Sequence, residues 1–182
     1  MKGIVFVELL EMAEDAFGED VVDSIIETAD LASGGSYTSV GNYPCEELMT
    51  LVRAFSLHSG IPAEELQRKF GHWMMDVFRR HYPGFFENQP DSFSMLESIE
   101  DDIHVEVRKL YPDADLPTFE TSRPEPGSLN MTYKSPRPLA EFCHGLIEAS
   151  FGKFGETASI ERADRNEDGL TVADFRIKLG SE

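Results

Sequence analysis

Apolar side chains recur at helical spacing through the first half of the chain and at alternate positions after Pro117. Ile4, Val5, Leu9 and Met12 fall on one helical face, with Glu8, Glu11, Glu14 and Asp15 between them. "DVVDSIIETADLA" repeats the pattern before "SGGSYTSVGNYP" breaks it, so a flexible hinge loop is expected there. Pro44 and Gly60 bracket a third helix, "CEELMTLVRAFSLHS", at places where helices accept such residues. Pro62 opens a fourth, "AEELQRKFGHWMMDVFRRHY", which "YPGFF" stops. A fifth starts at Asp91 or Ser92 and is predicted to run unbroken through "SFSMLESIEDDIHVEVRKLY" to Pro112.

Beyond Pro117, "TFETS" and "LNMTY" flank the turn "RPEPG" and predict a hairpin. "LAEFCHGLIEASFGKFG" returns to helix, with Leu139, Phe142, Leu146 and Ile147 on one face. Ala173, Phe175, Ile177 and Leu179 then alternate with Asp174, Arg176 and Lys178, the mark of a second hairpin. The fold class is α+β: one domain over residues 1–182, helical over approximately 1–62 and mixed helix and antiparallel sheet over approximately 63–182.

Composition narrows the partners. A chain of 182 residues supports one substantial core. Its formal net charge of −18 repels phosphate backbones and anionic head groups, which makes nucleic acid and membrane surfaces poor partners. The apolar start is interrupted by acids and lacks the uncharged run of a signal peptide or span, so a cytoplasmic location is expected. Cys45 and Cys143 stand far apart without CxxC spacing, which gives no basis for a disulfide scaffold or a cysteine-rich zinc site.

Three places carry chemistry. Among five histidines, His58, His72 and His81 have polar neighbours and are expected in surface or capping roles, while His144 is left unassigned. His104 borders the stripe Leu96, Ile99, Ile103, Val107 and Leu110, so its imidazole points inward. Glu100, Asp101, Val107 and Arg108 occupy the neighbouring helical positions, and no second soft ligand completes a zinc site. A core histidine bonded to a backbone carbonyl and an axial haem ligand both remain open from position alone. Tyr133, Ser135 and Arg137 alternate along an extended segment and aim two hydroxyls and a guanidinium at one place, which suits a ligand bearing carboxylates such as the haem propionates. "DRNEDGLTVADF" sets Asp164, Asn166, Asp168 and Gly169 at the first, third, fifth and sixth places of a calcium loop, but the twelfth is Phe175 and Asp174 falls one position early. The flanking alternation reads as an acidic β-turn. A calcium-binding module on the Asp164–Asp174 loop is the alternative function.

The opening "MKGIVF", the segment "IHVEVRKLYP", the pair Leu116-Pro117 and the Y-x-S-x-R motif "YKSPR" resemble the haem nitric oxide/oxygen binding (H-NOX) family, which includes the sensor domain of soluble guanylate cyclase. The resemblance covers essentially the whole chain. It implies that His104 is the proximal iron ligand of haem b, that Tyr133, Ser135 and Arg137 hold the propionates, and that Val5 and Pro117 press on the porphyrin and bend it. The distal wall would be Leu9, Met74, Phe78, Phe142 and Leu146. Phe142 stands where oxygen-binding members carry a donor tyrosine, and Leu9 and Met74 stand where that tyrosine's tryptophan and asparagine neighbours occur. Trp73 is expected in core or interface packing. An apolar distal wall implies binding of nitric oxide and carbon monoxide at ferrous haem and exclusion of O2. A zinc site found near the carboxyl terminus of some bacterial relatives is not expected, since no cysteine follows Cys143 and no histidine follows His144.

The implied activity is sensing, not catalysis, because a haem peroxidase needs a distal histidine or arginine that this wall lacks. Nitric oxide weakens the bond opposite to it, His104 is released, and a partner acting in trans, a histidine kinase or a cyclic-di-GMP enzyme, reads the change. The acidic faces Glu8, Glu11, Glu14 and Asp15, or Asp101 and Asp102, are candidate docking surfaces or simply solvated helix faces.

Overall fold

Gly18, at φ +88°, separates α1 (Gly3–Phe17) from α2 (Glu19–Thr28) in the computed structural model, which describes residues 1–180. Residues 181–182 of the expected domain lie outside the described residues. The helices α3 (Cys45–Ser59), α4 (Ala63–His81), α5 (Gly84–Glu87) and α6 (Ser92–Ser98) follow, and Gly60 closes α3 in the left-handed conformation at φ +74°. A π-helical turn, Ile99–Ile103, joins α6 to α7 (His104–Leu110). The rest is β1 (Thr118–Ser122), β2 (Ser128–Ser135), α8 (Ala140–Lys153), β3 (Ala158–Glu167) and β4 (Leu170–Leu179). All strand pairings are antiparallel, in the order β1-β2-β4-β3, so the α+β class read from the sequence is the one adopted.

The expected fifth helix forms in three pieces. Asp91 caps α6 through Oδ1, which accepts from the Ser94 N–H at 2.7 Å, as the sequence signals. The His104 N–H then bonds the carbonyl of Ile99, five residues back, which widens the helix for one turn. The apolar stripe loses its last member, since Leu110 is 61% exposed. The expected hinge loop is also tied down. Glu47, only 5% exposed, accepts from the Ser33 N–H at 3.1 Å, the Ser33 hydroxyl at 2.5 Å and the Tyr37 hydroxyl at 2.7 Å, and Tyr37 stacks on Phe6 at 4.6 Å. Burial works against that charge, but the hydrogen bonds outweigh it and hold the Glu47 carboxyl below its ordinary pKa.

Two hydrophobic clusters form. The first gathers Phe6, Leu9, Leu51, Phe55, Phe70 and Met74 from α1, α3 and α4. The second gathers Phe93, Leu96, Met131, Tyr133, Ile147 and Phe175 from α6, the sheet and α8. Phe78 and Leu146 pack against both. The single apolar face expected for α8 is therefore two: Phe142 turns to the first cluster, Cys143, Ile147 and Phe151 turn to the second, and Leu146 lies between them.

Glycines let α8 lie against α4. A Cβ on Gly145 would sit 2.1 Å from the Arg68 carbonyl oxygen, and one on Gly71 would sit 2.4 Å from that of Phe142. Gly145→Ala is expected to cost about 1–3 kcal/mol through overpacking against backbone that cannot swing away. Gly152→Ala, with open space around its Cβ, is the control and should stabilise by up to about 1 kcal/mol. Urea unfolding midpoints of the two variants check the contrast.

The second hairpin settles the calcium loop. Asp168 and Gly169, at φ +53° and +83°, form the tight turn between β3 and β4, with both central residues left-handed as such hairpins require. Asp164 lies in the extended strand, about 13 Å along it from Asp168, and not in a loop that wraps an ion. Its carboxylate pairs with Arg162 Nε at 2.9 Å, while Asp174 accepts from Thr132 at 2.7 Å and pairs with Arg165. Among the described residues no group of three His, Cys, Asp or Glu side chains is placed to hold a metal ion. The calcium-binding alternative is set aside, because extended backbone spreads its ligands.

Candidate functional site

His104 opens α7 directly after the π turn and is 8% exposed. Its Nδ1 lies 3.2 Å from Glu100 Oε2. That same carboxylate accepts from the Phe119 N–H at 3.1 Å and from Arg108 at 3.2 Å. Burial disfavours the charge of Glu100, but the bonds from Arg108, Phe119 and His104 outweigh it and keep the carboxyl below its ordinary pKa. An ionised carboxylate has no proton to give, so Nδ1–H is the donor. Burial pushes the pKa of His104 down against the pull of Glu100, so the ring is neutral. The imidazole therefore carries its proton on Nδ1 and a free lone pair on Nε2, and among the described residues no hydrogen bond engages Nε2. Its partner is a carboxylate, not the backbone carbonyl of an ordinary core histidine.

The ring of His104 lies 5.7 Å from Phe119, which lies 5.7 Å from Tyr133, the residue it faces across β1 and β2. Leu129, Met131, Tyr133 and Ser135 are the buried alternate positions of β2. Burial raises the Tyr133 pKa, so the phenol keeps its proton and can donate. Ser135 Oγ accepts the Arg137 N–H at 3.1 Å, which leaves its own proton to give. Arg137 lies past the end of β2, and its guanidinium donates to the carbonyl of Asp115 and, at 2.7 Å, to its carboxylate. Pro117 is half-buried immediately before β1.

The expected distal residues come together from three helices. Leu9 on α1 and Met74 on α4 are 2% and 0% exposed, and Phe78, Phe142 and Leu146 pack against the same first cluster, as does Val5. The Phe142 ring meets that of Phe70 at 5.1 Å. One acidic residue differs from its expected place: Glu8 is 5% exposed and accepts from Trp73 Nε1 at 2.9 Å, so it does not join Glu11, Glu14 and Asp15 on the solvated face. Trp73 is partly buried against the first cluster, anchored by that bond.

His144 belongs to a polar network that joins α4, α8 and β3. Its Nδ1 lies 3.0 Å from Arg68 Nη2 and 3.4 Å from Arg162 Nη1, and its Nε2 lies 3.3 Å from Glu148 Oε1. Guanidinium nitrogens only donate, so Nδ1 accepts and Nε2–H faces Glu148, the opposite tautomer to His104. Glu141 binds Arg68 at 2.8 Å and also pairs with Arg162. The sequence held one sign of this, the carboxylates of Glu141 and Glu148 three and four residues from His144 on the same helix.

The family model described as Haem-NO-binding matches residues 2–162. The unliganded Fe(II) H-NOX protein from K. algicida is 40% identical, with a TM-score of 0.93 over 100% of this chain and 98% of that one. The IWP-051-bound H-NOX from Shewanella woodyi, solved in the Fe(II)CO ligation state, is 38% identical, with a TM-score of 0.83 over 100% and 97%. An H-NOX mutant from T. tengcongensis, 24% identical with a TM-score of 0.89 over 100% and 98%, shares the fold. No curated protein matches. A family model spanning residues 2–162 and a relative 40% identical over the whole chain place this protein in the haem-NO-binding, or H-NOX, family.

Proposed function

We propose that this chain is a haem-based sensor that binds nitric oxide and carbon monoxide, excludes O2, and signals by release of His104 to a partner in trans. The observation that carries the reading is His104 itself: a buried, neutral imidazole whose Nδ1 is held by Glu100 and whose Nε2 lone pair is free. That is the state a metal-ligating histidine needs. The remaining donor set also fits haem b. Tyr133 and Ser135 offer hydroxyl protons to propionates, and Arg137 offers a guanidinium. Arg137 is itself 15% exposed, but the Asp115 carboxylate that engages it is 64% exposed, so water can take over that carboxylate when the guanidinium turns to a propionate. Val5 and Pro117 are the residues read as pressing on the porphyrin.

Ferrous haem, when bound, supplies one site for an imidazole and one for a diatomic gas. The chain decides which gas stays. Leu9, Met74, Phe78, Phe142 and Leu146 carry no N–H or O–H on their side chains, so the distal wall cannot donate to a partly anionic ligand. Nitric oxide and carbon monoxide depend far less on such a donor than O2 does. Once His104 lets go, α7 is tied to the sheet through the bonds of His104 and Arg108 to Glu100, and residues 1–62 can shift against residues 63–182. No side chain of this wall can serve as acid or base, in keeping with a sensor and not a catalyst.

The partner is read as a histidine kinase or a cyclic-di-GMP enzyme, met by the exposed acids Glu11, Glu14 and Asp15 or Asp101 and Asp102. No helix among the described residues is long and apolar enough to cross a membrane, and the reading places the chain in the cytoplasm. Absorption spectra of the purified ferrous protein test the gas choice. Nitric oxide and carbon monoxide should each shift the spectrum, and air should give no lasting oxygen-dependent form; a lasting one would overturn the exclusion of O2.

A further inference from the structure

We propose that Glu100 is the positioning residue that sets how firmly His104 holds its metal, with Arg108 tempering it; the inference rests on the haem reading above. Three groups converge on this one carboxylate. Oε2 takes His104 Nδ1–H at 3.2 Å and the Phe119 N–H at 3.1 Å, and Oε1 takes Arg108 at 3.2 Å. A carboxylate behind an imidazole fixes the tautomer and ring orientation and makes the opposite nitrogen a stronger electron donor. Glu100 therefore strengthens the bond from Nε2. Arg108 withdraws part of the same charge, so it weakens that bond without touching the ring.

The Phe119 N–H adds a geometric role. It belongs to β1, so the carboxylate is pinned to the sheet as well as to the π turn that carries it. His104 thus sits against a fixed backstop, and the bond that nitric oxide must break has a strength set from outside the pocket. Glu100 and Arg108 should act with opposite signs, which a purely structural role would not produce.

The test is the iron–histidine stretching band of the ferrous, haem-loaded full chain, read by resonance Raman, together with the rate at which nitric oxide releases His104. Glu100→Ala should lower the band and speed release by roughly 10–100-fold, the range typical of a lost outer partner. Glu100→Gln, which keeps an acceptor but loses the charge, should fall between Glu100→Ala and the unaltered protein. Arg108→Ala should raise the band and slow release. If Glu100→Ala does not fold, the Gln and Arg108 variants carry the comparison. A band present but unmoved by these variants, or moved in one direction by both residues, overturns the role of Glu100. Absence of the band from the unaltered protein overturns the haem reading and this inference with it.

Discussion

His104→Gly is expected to purify without pigment, and free imidazole is expected to restore it. The substitution deletes the only side chain of the site with a neutral nitrogen lone pair available to iron. His144, the other buried histidine, has both ring nitrogens engaged by Arg68, Arg162 and Glu148. The fold should tolerate the change. Among the described residues His104 makes one side-chain hydrogen bond, to Glu100, and one ring contact, to Phe119, and a glycine at the start of a short helix costs about 1 kcal/mol or less. Pigment per chain should fall by more than the roughly 10–100-fold that follows loss of a partner one shell further out. Imidazole added to the variant finds the space left by the ring, with Glu100 still able to accept its N–H. Rescue should consequently be weaker in His104→Gly with Glu100→Ala than in His104→Gly alone. Absorption at the haem band, normalised to protein and paired with a circular dichroism spectrum, makes the measurement. Full pigment in His104→Gly without imidazole would remove the basis of the proposed function.

What the sequence reveals of this site follows the range of the interactions. The inward turn of His104 and the row Tyr133–Ser135 are local consequences of helical and strand periods, and both are buried as those periods require. The hairpin at "RPEPG" and the cap at Asp91 are equally local, written in turn and capping residues. The π turn is not legible in this way, because it depends on one backbone bond shifting from the fourth to the fifth residue, which no side-chain pattern encodes. The place of Glu100 before His104 is visible in the sequence, but its hold on the Phe119 N–H, 19 residues away, is made only by the fold. The same holds for Arg137 and Asp115, 22 residues apart, and for His144 and Arg68, 76 residues apart. Buried acids were the most misleading positions. Glu8 reads as solvated charge beside Glu11, yet it is 5% exposed and bonded to Trp73, and Glu47, on which the sequence gives no sign, is buried and hydrogen-bonded as well.

The same long-range polar chemistry makes Glu141 the expected weak point for stability. Its carboxylate neutralises Arg68 and Arg162, and Arg162 is only 14% exposed. Glu141→Ala leaves that guanidinium with the half-exposed Asp164 and the neutral ring of His144. Removing one partner of a buried pair costs about 3–5 kcal/mol, and the cost here should lie near the lower end because Arg68 reaches solvent. A double variant, Glu141→Leu with Arg162→Met, should recover much of the loss, since no charge is then left buried without its partner. Urea midpoints at pH 7 would show both effects. The pH dependence gives an independent reading. Burial, then Arg68, lower the pKa of His144 below its ordinary 6.5, so the unfolded chain binds a proton that the folded chain refuses. Its contribution is complete above about pH 6.5 and is lost as pH falls below that value. Buried His104, lowered in the same direction, adds to the loss. Glu141 favours the protonated form of His144, so its removal lowers the folded value further and extends the loss to lower pH. The stability gap between Glu141→Ala and the unaltered chain should therefore hold steady as pH first falls below about 6.5 and widen only once pH falls through the lowered folded pKa of His144 in the unaltered chain. It should narrow again only where Glu141 itself, held below the ordinary carboxylate value despite burial by its two arginines, takes up its proton. A gap that stays constant all the way down to the pH where the carboxylates take up protons would mean that Glu141 and His144 do not share one electrostatic network.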